Sequence, residues 1–254
     1  MIALVIARNT FREATRDRVL VGLVVAGIAL MCSTLVLSPL ALGEGHRLVI
    51  DLGLTSISML ALLGIVVVGT GLVSKEIERR TIYNLLSRPL PRPVYLIGKW
   101  FGLAGALWTV AAALGVALFL LAALRGLGRF GPALAEAVYL AGLEIAVMAA
   151  IAVMFSALST PILSALYTIG LFCVGQWAHD LRQFADRLQA PLNWLPAFVA
   201  NVAPNLSLFN MRSLAADGLT TSAAHLGLAT AYAALYCACV LALAAAAFES
   251  RDFK

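Results

Sequence analysis

Residues Val73–Trp100 read "VSKEIERRTIYNLLSRPLPRPVYLIGKW", and on both sides the chain turns to Ala, Leu, Val and Ile. The charges of this stretch are costly in hydrocarbon, so it divides two runs that can cross a bilayer. Working outward from it, six apolar runs emerge: Val19–Leu42, Leu52–Val73, Trp100–Leu124, Ala133–Leu158, Pro161–Ala178 and Leu226–Phe248. Each is near the ~20 residues that a spanning helix needs. The fourth carries Glu136 and Glu144, the fifth is short, and the sixth is dense in small residues that favour close helix packing.

The composition agrees. The 254 residues are 62% hydrophobic and 12% charged, and the mean hydropathy is +0.95. A soluble domain is nearer half apolar and a quarter charged. The expected fold is all-α: a polytopic membrane protein with six transmembrane helices, one domain over residues 1–254. The net charge of +5 calls for no nucleic acid, because basic residues flank membrane spans on the cytoplasmic side.

Residues 1–18 place Leu4, Ala7, Phe11 and Ala14 on one helical face and Arg8, Arg12, Glu13 and Arg16 elsewhere. That pattern predicts an amphipathic helix lying in the interface plane. A signal peptide fits poorly, since the basic residues follow an apolar start. With the N-terminus inside, 12 of the 18 Lys and Arg residues fall on the inner side and 6 on the outer. Both termini and the opening stretch are then cytoplasmic. Residues 179–225 fall outside, where Pro191, Pro196 and Pro204 break apolar pieces too short to span. They predict short helices at the outer surface or dipping back in, or an extended outer loop.

Motifs for chemistry are missing. The sequence has no phosphate-binding Gly-rich loop, no H-E-x-x-H and no G-x-S-x-G. Cys32, Cys173, Cys237 and Cys239 sit in apolar runs and read as buried hydrophobes, with no metal-ligand spacing to His46, His179 or His225. No catalytic residue and no metal set are assigned. Glu144, deep in the fourth run, is either a cargo- or proton-contacting group in a central cavity or a carboxyl bonded to a neighbouring helix.

Within the insert, Lys75–Ser87 sets Ile77, Ile82, Leu85 and Leu86 among charges, the pattern of a short amphipathic helix. Pro89, Pro91 and Pro93 end it. Holding topology needs only Lys and Arg. The added Glu76 and Glu78 suit docking to a protein, with charges fixing register.

At these residues the chain resembles the ABC-2 type permeases, the membrane subunits of ATP-binding-cassette exporters. In that family an acidic pair ends the second span, as Glu76 and Glu78 do here. There follows a segment matched by Arg80-Thr81-Ile82, Leu85-Leu86-Ser87, Pro89-Leu90 and Arg92, then Ile97-Gly98-Lys99 leading into the third span. Many members carry Gly where this chain has Arg80. The N-terminal amphipathic helix is similar to the family's elbow helix. "PNLSLFNMR" (Pro204–Arg212) is similar to a "P-N-L/F-x-L-F-x-x-R" segment before the last span. The nearer branch is that of permeases linked to copper-enzyme maturation or to gliding.

The resemblance implies a homodimer of permease chains in the inner membrane, each docking one cytoplasmic ABC ATPase that binds ATP and Mg. It implies a coupling helix in residues 75–93 that meets the ATPase through Lys75, Glu76, Ile77, Glu78, Arg79, Arg80, Thr81, Tyr83 and Leu86. The turn Phe155–Ala165 would be a lesser contact. Trp194, Pro204, Asn205 and Phe209 would form an outer exit gate. This chain would bind no cofactor itself. An ATP-driven scaffold acting on an extracytoplasmic partner would share all these features. An intramembrane enzyme centred on Glu144 would lack a second catalytic group.

Overall fold

The computed structural model describes residues 2–38, 44–73, 92–187, 194, 198–199 and 202–249. Nine helices are numbered along these residues. They are α1 (Ile2–Thr15), α2 (Arg18–Leu37), α3 (Gly45–Val68), α4 (Arg92–Leu124), α5 (Gly131–Leu158), α6 (Pro161–Gln176), α7 (Ala178–Arg187), α8 (Arg212–Ala216) and α9 (Ala223–Glu249). Short 3-10 turns cover Gly69–Gly71, Gly128–Phe130 and Leu206–Phe209.

Local chemistry starts and stops these helices. Asp17 caps α2 by accepting from the Val19 N–H at 2.9 Å. Pro132 and Pro161 occupy the first turns of α5 and α6, where a missing N–H costs nothing. Gly126 (φ +71°) and Gly218 (φ +73°) end α4 and α8 in the left-handed conformation. There the N–H groups of Leu127 and Leu219 reach back to Ala122 and Leu214 at 2.8 and 2.9 Å. A side chain at either position would be strained.

Five helices (α2, α3, α4, α5 and α9) are long and apolar enough to cross a membrane, and the bent pair α6–α7 brings the number to six when it is counted as one broken span rather than a re-entrant loop. Their outer surfaces carry Val25, Val36, Val116, Leu166, Leu235 and Leu243, all exposed. That much exposed apolar surface has lipid as its solvent. The same surface holds Cys32, Cys173 and Cys239, which are exposed, while Cys237 is buried. The expectation that all four are buried fails because lipid accepts a thiol as readily as a core does.

α5 is the hub. It packs on α3, α4, α6, α8 and α9 and is shielded round most of its circumference. Trp100 and Trp108 of α4 donate their indole N–H groups to the Ala146 and Gly142 carbonyls of α5, at 2.9 and 2.7 Å. α9 lies against α5 and α4, leaving Leu228, Leu235 and Leu243 exposed on its other side.

α4 begins at Arg92, not Trp100, and its 33 residues run to about 50 Å. Lys99, counted from the sequence as a residue at the membrane edge, is only 3% exposed. Its ammonium lies 5.8 Å over the Tyr95 ring, within cation–π range. α1 docks along this first part of α4. Ala3 and Ile6 meet Gly98, Ala7 and Thr10 meet Gly102, and Phe11 meets Gly105. Leu4 is 73% exposed. Ala7, Phe11 and Ala14 of the expected face do pack, while Leu4 gives way to Ala3, Ile6 and Thr10 at the glycines that let two backbones touch.

Candidate functional site

Two regions carry polar groups inside the bundle. The first is the end at which the charged insert leaves. α3 loosens through the Gly69–Gly71 turn and reaches Val73, where the described chain stops until Arg92. Ser156 of α5 holds this end. Its hydroxyl donates to the Thr70 carbonyl at 2.8 Å and accepts from the Val73 N–H at 3.0 Å. Ser156 and Val73 are both fully buried. The beginning of α4, the docked α1 and the end of α9 lie at the same end, since Pro93 and Ile97 share a groove with Ala245 and Ala246. The expected coupling residues Lys75, Glu76, Ile77, Glu78, Arg79, Arg80, Thr81, Tyr83 and Leu86 lie outside the described residues.

Replacing Ser156 with Ala is expected to destabilise the folded chain by about 1–3 kcal/mol, because a buried N–H and a buried carbonyl each lose a partner. Thermal unfolding of the purified protein measures it. Ser156→Thr, which keeps the hydroxyl, tests whether the bond or the volume matters.

The second region centres on Glu144. It lies 13 residues along α5 from Gly131 and 14 from Leu158, about 20 Å from each end. The residue is 5% exposed. The Ser58 hydroxyl of α3 donates to Oε2 at 3.1 Å, and the Gln176 amide of α6 donates to Oε1. Arg212 of α8 lines the same cleft as Glu144, with Leu54, Ala137, Ala141, Phe209 and Met211. The guanidinium itself donates to the Thr55 hydroxyl at 3.2 Å. The cleft holds about 10 Å³, close to the least that takes one water.

The length of α6 explains how Arg212 gets there. Its 16 residues rise about 24 Å, less than the ~30 Å hydrocarbon core. It stops at Gln176, level with Glu144, and the chain bends by 62° into α7. Pro204–Asn210 occupies the space beyond. Gly175 lets it approach, since a Cβ there would sit 2.7 Å from the Pro204 carbonyl oxygen and 2.8 Å from the Leu206 side chain. Tyr232 of α9 accepts from the Asn205 N–H at 2.8 Å, and its ring faces Phe209. α8 then runs back along α3, from Arg212 beside Thr55 to Asp217 beside Arg47.

Of the four expected gate residues, the structure brings Pro204, Asn205 and Phe209 together, the first and last buried. Trp194 is 64% exposed. Glu136, nearer the far end of α5, accepts from the Thr221 N–H at 2.7 Å. Sequence reasoning missed Ser58, Gln176 and Arg212 as partners of Glu144. Signals existed for each. Asp51, Thr55 and Ser58 form a polar stripe on α3, Gln176 is the one amide in its apolar run, and Arg212 closes the "PNLSLFNMR" segment.

Chemically, this centre surrounds a carboxylate with donors and a cation. It can hold helices together or release them. Among the described residues, no cluster of His, Cys, Asp and Glu is set to hold a metal. A search of curated proteins finds no match. The family model described as ABC-2 family transporter protein matches residues 4–253, nearly the full length. The chain therefore belongs to the ABC-2 family of transporter proteins: it is a multi-pass membrane permease subunit of an ABC transporter, and ATP hydrolysis lies in a cytoplasmic partner.

Proposed function

We propose that this permease works as an exporter, driven through the insert at residues 75–93. Two copies would pair in the inner membrane with both termini cytoplasmic. Each would seat its insert in a cytoplasmic ATPase that carries the ATP and Mg, so that this chain holds no cofactor. The supporting observation is where the insert is rooted. It leaves from a chain end pinned to the hub helix α5 by Ser156 and returns into α4, onto which α1 is docked. A push on it reaches α3, α4 and α5 together. Pro204, Asn205 and Phe209 form the exit gate on this reading, with Trp194 at its rim and Glu144 at its floor. The motif in the insert supports the branch linked to copper-enzyme maturation or gliding.

The test is the double substitution Glu76→Ala/Glu78→Ala in the reconstituted permease–ATPase complex. Losing two charged contacts at a docking surface is expected to weaken association at least ~10-fold, and stimulated ATP hydrolysis should fall to the level of the ATPase alone. Unchanged association and activity would sink the coupling role. A second reading has its own support. The cleft at Glu144 takes about one water, which suits a chain that transmits motion to an extracytoplasmic partner. Cargo accumulation in vesicles would decide for export, and ATP-dependent binding of an outer partner would decide for transmission.

A further inference from the structure

We propose that Arg212 and Glu144 form an electrostatic latch that holds the segment 203–217 inside the bundle and keeps the gate closed. This rests on the gate reading above and names what controls it. The two charges come from different bodies. Glu144 sits on the hub helix. Arg212 begins the five-residue α8, at the end of the segment that dips to mid-bundle.

The segment's other fastenings are an exposed ion pair, neutral hydrogen bonds and apolar packing. Its outer edge is tied by the Asp217–Arg47 ion pair, both partners substantially exposed, and exposed pairs of this kind contribute little. Its tip is held by the Asn205–Tyr232 bond, and the Leu208 carbonyl lies 3.2 Å from the His225 ring. Leu206 and Phe209 add apolar burial. Only the inner end carries a charge at mid-bundle, where Arg212 and the buried Glu144 line one cleft and a charge left without a counter-charge is costly.

That cost gives the latch its direction. Withdrawing the segment carries Arg212 away and leaves Glu144 with two neutral donors, Ser58 and Gln176. The closed state is therefore the resting state, and opening it takes work from elsewhere. Gln176 ends α6, so a shift of α6 also removes a donor from the same carboxylate. The helix on the far side of the turn at Ser159 and Thr160 is α5 itself. Movement of the hub and of α6 thus converges on one group. Thr55 gives the guanidinium a second partner in the closed state, so the side chain stays oriented across a cleft of one water.

The experiment uses the full chain, free of native cysteines, in proteoliposomes without ATP. Ser207→Cys, placed on the segment, reports exposure through its rate of labelling by a membrane-impermeant maleimide. Arg212→Gln and Glu144→Gln should each raise that rate about 10-fold. Arg212→Lys, which keeps the charge, should stay within about twofold of the parent. The Arg212→Gln/Glu144→Gln double variant should not exceed the faster single, because the partner is already lost. Unchanged labelling in both singles overturns the latch, and so does a double variant whose rate multiplies the two effects. The assay needs no ATPase, so a failed latch and a failed coupling insert give separate results.

Discussion

Gly102→Leu is expected to drive α1 off α4 and to cost about 3 kcal/mol, the upper end of the usual penalty for overpacking. A Cβ at Gly102 would lie 2.5 Å from the Thr10 Cβ and 2.7 Å from the Ala7 carbonyl oxygen. Neither atom is the tip of a flexible side chain. The helices must separate, and the Gly98 contact, 2.8–2.9 Å from Ile6 and the Ala3 carbonyl, is lost with them. Packing between membrane helices rests on such contacts, since lipid is as apolar as Leu. A cysteine pair across α1 and α4 that cross-links in the parent should cease to do so, and the melting temperature should fall. Thr10→Val makes the contrast. The Thr10 hydroxyl is buried at this contact without a hydrogen-bond partner, so removing it should be neutral or slightly stabilising. If Gly102→Leu cross-links like the parent, the close approach of α1 is not what fixes it.

The bundle was legible because hydropathy reports the one property that every span must have. It misread edges where charged residues are carried within a helix, covered as Lys99 is or exposed as Arg47 and Asp51 are. α4 begins eight residues before Trp100, because Lys99 is covered by packing and the stretch from Pro93 continues as helix. α3 begins at Gly45 rather than Leu52, since Arg47 and Asp51 are carried on a helix end that projects toward α8. Glu144 was legible as an intramembrane carboxylate. Its partners were not, because Ser58, Gln176 and Arg212 come from three other elements. No local period encodes which helix stops short. The 16 residues of α6 look like a marginal span, yet that shortness is what admits Arg212 to the centre.

The last test bears on that shortness. Gly175→Val is expected to displace the dipping segment without touching a charge. The added Cβ would meet the Pro204 carbonyl oxygen at 2.7 Å and Leu206 at 2.8–2.9 Å. Backbone cannot rotate away as a side chain can, so the Pro204–Phe209 stretch must shift as a unit, at about 1–3 kcal/mol. Because Gly175 immediately precedes Gln176, the shift also disturbs the donor to Glu144. Labelling of Ser207→Cys should rise several-fold. Gly170, five residues earlier on α6, has nothing within 4 Å of an added Cβ. Gly170→Ala should therefore leave labelling unchanged and stabilise the helix by about 0.5–1 kcal/mol. If both substitutions behave alike, the effect belongs to helix propensity. If only Gly175→Val opens the segment, the glycine is there because the returning chain packs on the end of a helix that stops short.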